Sequence, residues 1–433
     1  MSEESYACHS PEHEISRRKF LGGVTAGAGV ASLGGLDGIV QPTLASELRA
    51  KAKRVLLVFQ HGGLSQLESW DPKPNTDTGG PFHPIATSVP GVHVSELLPH
   101  TSRQMHHLTL LRGLNTHDPN HDSARVTMLT GWRQGFVGGD YPSMGAICTK
   151  YLGDGRTKPG YIVLTNRDQW HLNSMVDASF LGSRFAPVVA FDEKPPDNLV
   201  APPSISDARS ARRAALRREL NTRFRSRGKS DKSQAYESVF DKALQLMDRE
   251  KLFRLDEISD RDQDRYGTHA FGVRCLMTRK VLESGCTYVK LNHGNYDTHF
   301  ENFNHHLHRL GEFDRPFAAL LEDIVDRGLY ENTLIVVMGE FGRTPKINAS
   351  SGRDHWSDAW SIAVGGCGVK TPGIFGRTNS NGTEVRDGEI NVPDIFHTLY
   401  RALGIDPTEE IYDDTRPVKV TDPEGKAIRE VLA

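Results

Sequence analysis

The sequence has 433 residues, 37% of them hydrophobic, which is enough for one large α/β domain with insertions or for two domains. Its formal net charge is −3 at pH 7, and this near balance argues against a general nucleic-acid binder. No run of 18 or more apolar residues occurs after residue 45, so we expect no stable membrane span in the mature protein.

The first 45 residues have the features of an export signal. Arg17 and Arg18 stand directly before a weakly apolar stretch rich in Gly and Ala, which resembles a bacterial Tat signal cleaved after Ala45. A non-cleaved anchor is the alternative, although seven glycines between residues 22 and 40 make a poor membrane helix. We therefore expect the Tat translocase to deliver the protein to the periplasm or the cell exterior. Because Tat substrates cross the membrane folded, the signal also favours a metal or cofactor bound before export.

The domain of residues 46–433 begins with a buried-strand pattern. Arg54 to Phe59 is largely apolar, and it ends in Gln60-His61-Gly62-Gly63. His61 is a candidate metal ligand or substrate-binding residue at this strand end. The alternative is that it is an ordinary polar residue in front of a Gly-Gly turn.

The next strand pattern, at 108–111, leads through a loop into a predicted helix from His121 to Gly131. Free N–H groups and the helix dipole at its N-terminus favour an anion such as phosphate or sulfate beside His121 and Ser123. The alternative is that Asp122 or Ser123 only caps the helix.

Residues 161–164 and 187–190 are predicted to be further strands, and from 204 to about 280 the pattern becomes helical. Eight arginines lie between residues 209 and 227, and a second amphipathic stretch runs from 235 to 255. We interpret 204–280 as a helical insertion. A basic run of this kind is commonly a solvated surface helix, and contact with an anionic polymer or a membrane is the alternative.

The strand pattern at 286–291 is followed by a loop with Asp297 and His299. At i and i+2 after a strand, these two side chains can turn toward one ion. Three more histidines follow on the next helix, where we expect surface positions, with one or two of them supporting metal ligands: His305, His306 and His308.

The apolar stretch at 334–338 is predicted to be a buried strand that stops before Glu340. In open α/β sheets the ligand crevice lies at the carboxyl ends of the strands, so Glu340 is a candidate site residue. His355 follows in a loop, and oxygen and imidazole ligands together suit a divalent metal. The alternatives are that Glu340 caps a helix or pairs with Arg343, and that His355 is an ordinary loop histidine.

Strand, loop and helix patterns alternate along most of the chain, which predicts an α/β sandwich with a mainly parallel sheet. Four cysteines remain after residue 45, without metal-binding spacing, so they form one or two disulfides or stay as buried thiols: Cys148, Cys275, Cys286 and Cys367.

Three motifs carry a family resemblance: YDTH at 296–299, GEFGRTP at 339–345 and GRDHW at 352–356. With a DPKP block near residue 72, they resemble the Tat-exported bacterial family called domain of unknown function 1501, over roughly residues 50 to 405. That family looks like a branch of the alkaline phosphatase and sulfatase superfamily. The resemblance implies a three-layer sandwich, with a mostly parallel central sheet, helices on both faces and metals at the strand ends.

The superfamily pattern carries over only in part. Asp297, His299 and His355 match the positions that hold one metal. Glu340 stands where a second metal would take an Asp-His pair, and His61 stands near the position of another aspartate, so a second site would be remodelled around these two residues.

The stretch from His121 to Gly131 resembles the sulfatase signature, and Arg125 matches its arginine. His121 occupies the nucleophile position. Because neither Cys nor Ser stands there, a formylglycine mechanism is excluded.

The resemblance thus implies an exported hydrolase of sulfate or phosphate esters, acting on a small molecule or a glycan with a divalent ion such as zinc, calcium or manganese. Its expected metal ligands are Asp297, His299, Glu340, His355 and His61. His121 would act as general base, general acid or nucleophile, Ser123 as the substitute nucleophile, and Arg125 or Arg343 would stabilise charge. A non-hydrolytic protein that binds sulfated or phosphorylated glycans is the main alternative, and a metal-assisted isomerase or mutase is a third.

Overall fold

The structure is a computed structural model that describes residues 53–133, 141–153, 160–166, 178–191, 205–226, 237, 240 and 259–433. The predicted Tat signal, and all but two residues of the predicted amphipathic stretch 235–255, lie outside the described residues.

Seventeen strands are found in the described part of the chain: β1 (Arg54–Phe59), β2 (Pro84–Ala86), β3 (His93–Ser95), β4 (Thr109–Asn115), β5 (Tyr161–Thr165), β6 (Val188–Phe191), β7 (Tyr288–Asn292), β8 (Thr333–Met338), β9 (Gly342–Arg343), β10 (His355–Trp356), β11 (Trp360–Gly366), β12 (Gly373–Phe375), β13 (Arg377–Thr378), β14 (Val385–Asp387), β15 (Ile390–Asn391), β16 (Glu410–Asp413) and β17 (Arg416–Lys419). The α-helices of the same residues are α1 (His121–Thr130), α2 (Met144–Leu152), α3 (Asp207–Arg225), α4 (Asp260–Tyr266), α5 (Ala270–Glu283), α6 (Asn302–Asp326) and α7 (Val392–Leu403).

Nine of these strands form the central sheet. Its order is β12-β4-β11-β8-β1-β7-β5-β6, and β15 also pairs with β4. Only β11 is antiparallel to its neighbours, so the other eight strands run in one direction. Phe59 at the end of β1 lies in register with Met338 of β8 and with Asn292 of β7. The loops after these three strands therefore leave from the same edge of the sheet.

Successive side chains of a strand point to opposite faces, and β1 shows how this builds two cores. Leu57 belongs to a buried cluster with residues of α1, α2 and α7, whereas Leu56 belongs to a cluster with residues of α5 and α6. Helices thus cover both faces of a mostly parallel sheet, and the predicted three-layer α/β sandwich is confirmed.

The arginine-rich stretch is helical, as predicted, and forms α3. Its described side chains are mostly solvent-exposed, including Leu216 and Leu220. By contrast, α5 is largely buried and contributes to the core. None of the described helices has the length and apolar character needed to cross a bilayer.

His306 corrects one expectation of the sequence analysis. His305 and His308 are exposed as predicted, but His306 is fully buried, because it shares a face of α6 with Leu310 and Phe313. Its Nε2 accepts a hydrogen bond from Ser65 N at 3.1 Å, and its Nδ1 donates to Asn302 O at 2.8 Å. Burial lowers the pKa of His306 to about 4, so the ring is neutral.

The four cysteines that follow residue 45 are free and buried in the structure. Of the two alternatives left by the sequence, buried thiols are therefore the ones found.

Candidate metal centre

Three segments bring the predicted site residues together at the carboxyl edge of the sheet. His121 is the first residue of α1, Asp297 and His299 lie in the loop after β7, and His355 opens β10. Because β10 pairs with β9 in antiparallel register, His355 lies opposite Arg343. The parallel sheet thus explains why residues so distant in sequence meet.

Three histidine side chains converge around the carboxylate of Asp297. Its Oδ1 lies 3.2 Å from Nε2 of His299 and 3.2 Å from Nε2 of His355, and its Oδ2 lies 3.4 Å from Nε2 of His121. The Nε2 atoms of His299 and His355 are 3.0 Å apart. Ligand atoms of His121, Asp297 and His355 all lie within 4.8 Å of one another. We call His121, Asp297, His299 and His355 the three-histidine centre.

Each histidine of this centre has an oxygen acceptor at its other ring nitrogen. The Nδ1 contacts are 2.7 Å between His121 and Glu340, 2.7 Å between His299 and Asp354, and 2.6 Å between His355 and the carbonyl of Pro119. Carbonyls and ionised carboxylates can only accept, so in the neutral rings the proton is on Nδ1 and the lone pair is on Nε2. Metal-binding histidines are typically oriented in this way.

The donor geometry fits a divalent cation. In neutral rings the Nε2 lone pairs of His299 and His355 face each other and the Asp297 carboxylate, an arrangement that is repulsive unless a cation or proton lies between them. A tetrahedral ion with bonds of about 2.0–2.1 Å sets its ligand atoms about 3.3 Å apart. The separations of 3.0 to 3.2 Å among His299 Nε2, His355 Nε2 and Asp297 Oδ1 agree with that spacing, and His121 Nε2 lies 3.4 Å from the other carboxylate oxygen of Asp297.

Glu340 lies behind His121. Its Oε1 accepts from Gly62 N at 2.7 Å as well as from His121, and its Oε2 is buried without a hydrogen-bond partner among the described residues. Burial works to raise the pKa of Glu340, but the hydrogen bonds from His121 and Gly62 and the charges of His121 and His61 together outweigh it, so the net pKa is lowered. For His121, burial lowers the pKa, but the hydrogen bonds to Asp297 and Glu340 outweigh burial and raise the pKa to about 9. Glu340 therefore orients His121.

Arg343 is fully buried and joins the loops that surround Asp297. Its Nε donates to Gly63 O at 3.1 Å, its Nη1 to Arg353 O at 3.1 Å, and its Nη2 to Asp297 Oδ1 at 2.7 Å and to the Gly62 carbonyl. This geometry favours a positioning role for Arg343 over direct contact with a substrate.

The other predicted site residues lie around the centre. Arg125 is buried and pairs with Asp122 at 2.6 Å. The hydroxyl of Ser123 contacts Asn120, whose side chain caps α1, so the cap is Asn120 and not Asp122 or Ser123. His61 is buried with its ring against Gly294, where a β-carbon would collide with it, and it is not one of the converging donors.

Sequence reasoning missed Lys290, which is buried in β7. Burial lowers the pKa of Lys290 to about 7; the nearby charge of Arg125 lowers it further, whereas that of Glu340 raises it. The sequence feature that could have revealed it is a lysine in the middle of an otherwise apolar strand pattern.

A second overlooked feature is the ion pair of Glu68 and Arg353, both of which are fully buried, with Nη2 and Oε1 2.7 Å apart. Arg353 also donates to the carbonyls of Thr78, Thr344 and Pro345. The pair thus anchors the loop that leads directly into His355. Glu68 and Arg353 are 285 positions apart, and no sequence pattern predicts that they form an ion pair.

These observations define the class of this protein as a three-layer α/β sandwich with a candidate metal centre at the carboxyl ends of its strands. The chain belongs to the family described as "Protein of unknown function (DUF1501)", which matches residues 52–432. A comparison with curated proteins finds no similar sequence.

Several solved structures are similar to the chain at about 10% identity. The lipoteichoic acid synthase LtaP from Listeria monocytogenes is 9% identical with a TM-score of 0.42, over 86% of this chain and 75% of its own. The PsFucS1 sulfatase from Pseudoalteromonas sp. is 13% identical with a TM-score of 0.38, over 84% and 72%. An alkaline phosphatase superfamily protein from Vibrio parahaemolyticus is 10% identical with a TM-score of 0.38, over 82% and 66%. Similarities this weak do not extend to function.

Proposed function

We propose that this protein is an exported hydrolase of sulfate or phosphate esters that depends on a divalent metal held by the three-histidine centre. The observation that carries the proposal is the convergence of three Nε2 atoms on Asp297, each with its Nδ1 bound to an oxygen acceptor. Three imidazoles and one carboxylate favour zinc, because calcium prefers six to eight oxygen ligands.

His121 takes a different role in this proposal from the one its sequence position implies. Its two ring nitrogens face Glu340 and Asp297, so it holds the ion together with Asp297, His299 and His355. Bound there, a divalent ion would polarise the ester oxygen and lower the pKa of a water molecule. Glu340 keeps His121 in the required tautomer, and Arg343 keeps Asp297 in place.

A screen of aryl sulfates and aryl phosphates with zinc-loaded protein tests the proposal. We expect hydrolysis that is lost on chelation, restored by zinc, and reduced at least a hundredfold in a His355→Ala variant. A His305→Ala variant is the matched control, since His305 is exposed on α6, and it should keep full activity.

If zinc binds at the centre and no ester is hydrolysed, the proposal that the protein is a hydrolase is wrong. It would favour instead a protein that binds sulfated or phosphorylated glycans, consistent with a histidine at the position where sulfatases have their nucleophile.

A further inference from the structure

The arginine-rich helix α3 does not bury its largest apolar side chains. A surface helix of a globular protein normally turns its apolar residues toward the core and its charged residues toward water. Among the described side chains of α3, the half-buried ones are instead those of Ala214, Arg217 and Asn221, which share one face of the helix. The guanidinium carbon of Arg217 lies 3.7 Å from the ring centroid of Phe240. The more buried side of α3 is therefore largely polar.

The leucines of α3 point to solvent. Leu216 is 56% exposed and Leu220 is 54% exposed, and Phe224, at 43%, continues the same stripe one turn further on. Eight large apolar side chains are strongly exposed among the described residues, and three of them lie together on this one helix. Exposed apolar side chains that are scattered singly are ordinary, whereas a continuous stripe indicates an interaction surface.

Exposed arginines share this side of the helix. Three of them precede Leu216 by seven, four and three positions, which are the spacings of neighbours on one helix face. Arg223 is also exposed, but it pairs with Glu219 at the edge of this face. The helix is 19 residues long, which corresponds to about 28 Å. We call the mixed basic and apolar surface the α3 face, and it comprises Arg209, Arg212, Arg213, Leu216, Leu220 and Phe224.

An anionic lipid bilayer supplies contacts for both kinds of side chain. At the bilayer interface, guanidinium groups bind lipid phosphates while apolar side chains enter the boundary of the acyl chains. A soluble anionic polymer would neutralise the arginines but would leave Leu216 and Leu220 in water. A symmetric contact with a second copy of the chain would bring the same face of both copies together, and so would oppose arginine to arginine.

We propose that the α3 face binds the surface of an anionic lipid bilayer and holds the protein there. The attachment is peripheral and reversible, since it uses one face of a helix that lies along the interface. The exposure of Leu216 and Leu220 favours this role over the solvated surface helix expected from the run of arginines. The proposal stands on α3 alone and does not depend on the metal centre or on ester hydrolysis.

Hydrogen-exchange mass spectrometry of the full chain tests the proposal, because it reports on α3 separately from the basic residues near the amino terminus. With vesicles of phosphatidylcholine that contain about 30% phosphatidylglycerol, we expect the amides of α3 to exchange about tenfold more slowly than without vesicles. Vesicles of phosphatidylcholine alone should have no effect. In Leu216→Gln/Leu220→Gln and in Arg212→Gln/Arg213→Gln, the slowing should be less than about twofold, because each variant removes one of the two kinds of contact.

Ile374→Gln/Tyr412→Gln is the matched control. These two side chains are 42% and 60% exposed on β12 and β16, so the variant removes exposed apolar groups away from α3 and should behave like the wild type. Far-UV circular dichroism confirms that each variant is folded. Exchange in α3 that anionic vesicles leave unchanged would overturn the inference. Slowing that is lost in the arginine variant but kept in the leucine variant would also overturn it, since the contact would then be purely electrostatic, as with a soluble anionic polymer.

Discussion

Replacing Glu340 by Gln probes how the centre is supported. Glu340 is fully buried and holds Nδ1 of His121 at 2.7 Å, so the variant keeps the shape of the side chain and removes its charge. Loss of a partner of this kind typically weakens metal affinity about 10- to 100-fold, or about 1.4 to 2.7 kcal/mol. We therefore expect one zinc to bind Glu340→Gln, with a Kd raised by that factor.

The assay is a competition titration against a fluorescent zinc chelator at pH 7.5, beside far-UV circular dichroism to confirm folding. Glu331→Gln is the control, since Glu331 is exposed at the opposite end of β8, and its zinc affinity should match the wild type. An unchanged Kd in folded Glu340→Gln would refute the supporting role. Complete loss of zinc binding would show instead that Glu340 is itself a ligand.

Three further perturbations test other parts of the structure. Glu68→Gln leaves the buried charge of Arg353 unpaired and should lower the free energy of unfolding by about 3–5 kcal/mol in urea titrations; a change below 1 kcal/mol would contradict the anchoring role. Burial lowers the pKa values of His293 and His306 to about 4, so the unfolded chain binds more protons between about pH 6.5 and 4. The free energy of unfolding should fall as the pH drops through that window, and it should fall less steeply in His306→Gln than in the wild type. Equal slopes for the two proteins, from urea titrations at each pH, would refute this. At Gly62, φ is +100°, and an added β-carbon would lie 2.6 Å from a backbone nitrogen. The melting temperature of Gly62→Ala should therefore drop by several degrees, and an unchanged melting temperature would show that the substitution causes no strain.

Much of the centre could be predicted from the sequence, because parallel strands align their carboxyl ends. Apolar runs located β1, β7 and β8, and the polar residues that follow two of them, together with the later GRDHW motif, singled out Asp297, Glu340 and His355. The direction of β11 was not predictable, because a run of buried residues has the same appearance in a parallel and an antiparallel strand.

The arrangement of ligands around the candidate ion was harder to predict. Whether His121 binds an ion or attacks a substrate depends on what its Nε2 faces, and that neighbour, Asp297, lies 176 residues away. The burial of His306 was missed because histidine is tolerated on either face of an amphipathic helix. Both the role of His121 and the burial of His306 depend on contacts between residues distant in sequence, which no local sequence pattern predicts.

The most direct test of the central claim is the metal content of the protein purified without chelator, measured by elemental mass spectrometry. We predict about one equivalent of zinc in the wild type and in a His305→Ala/His308→Ala control, and less than a tenth of an equivalent in folded His299→Ala/His355→Ala. Folded wild type that takes up no zinc or other divalent ion, even when the ion is added in excess, would contradict the three-histidine centre.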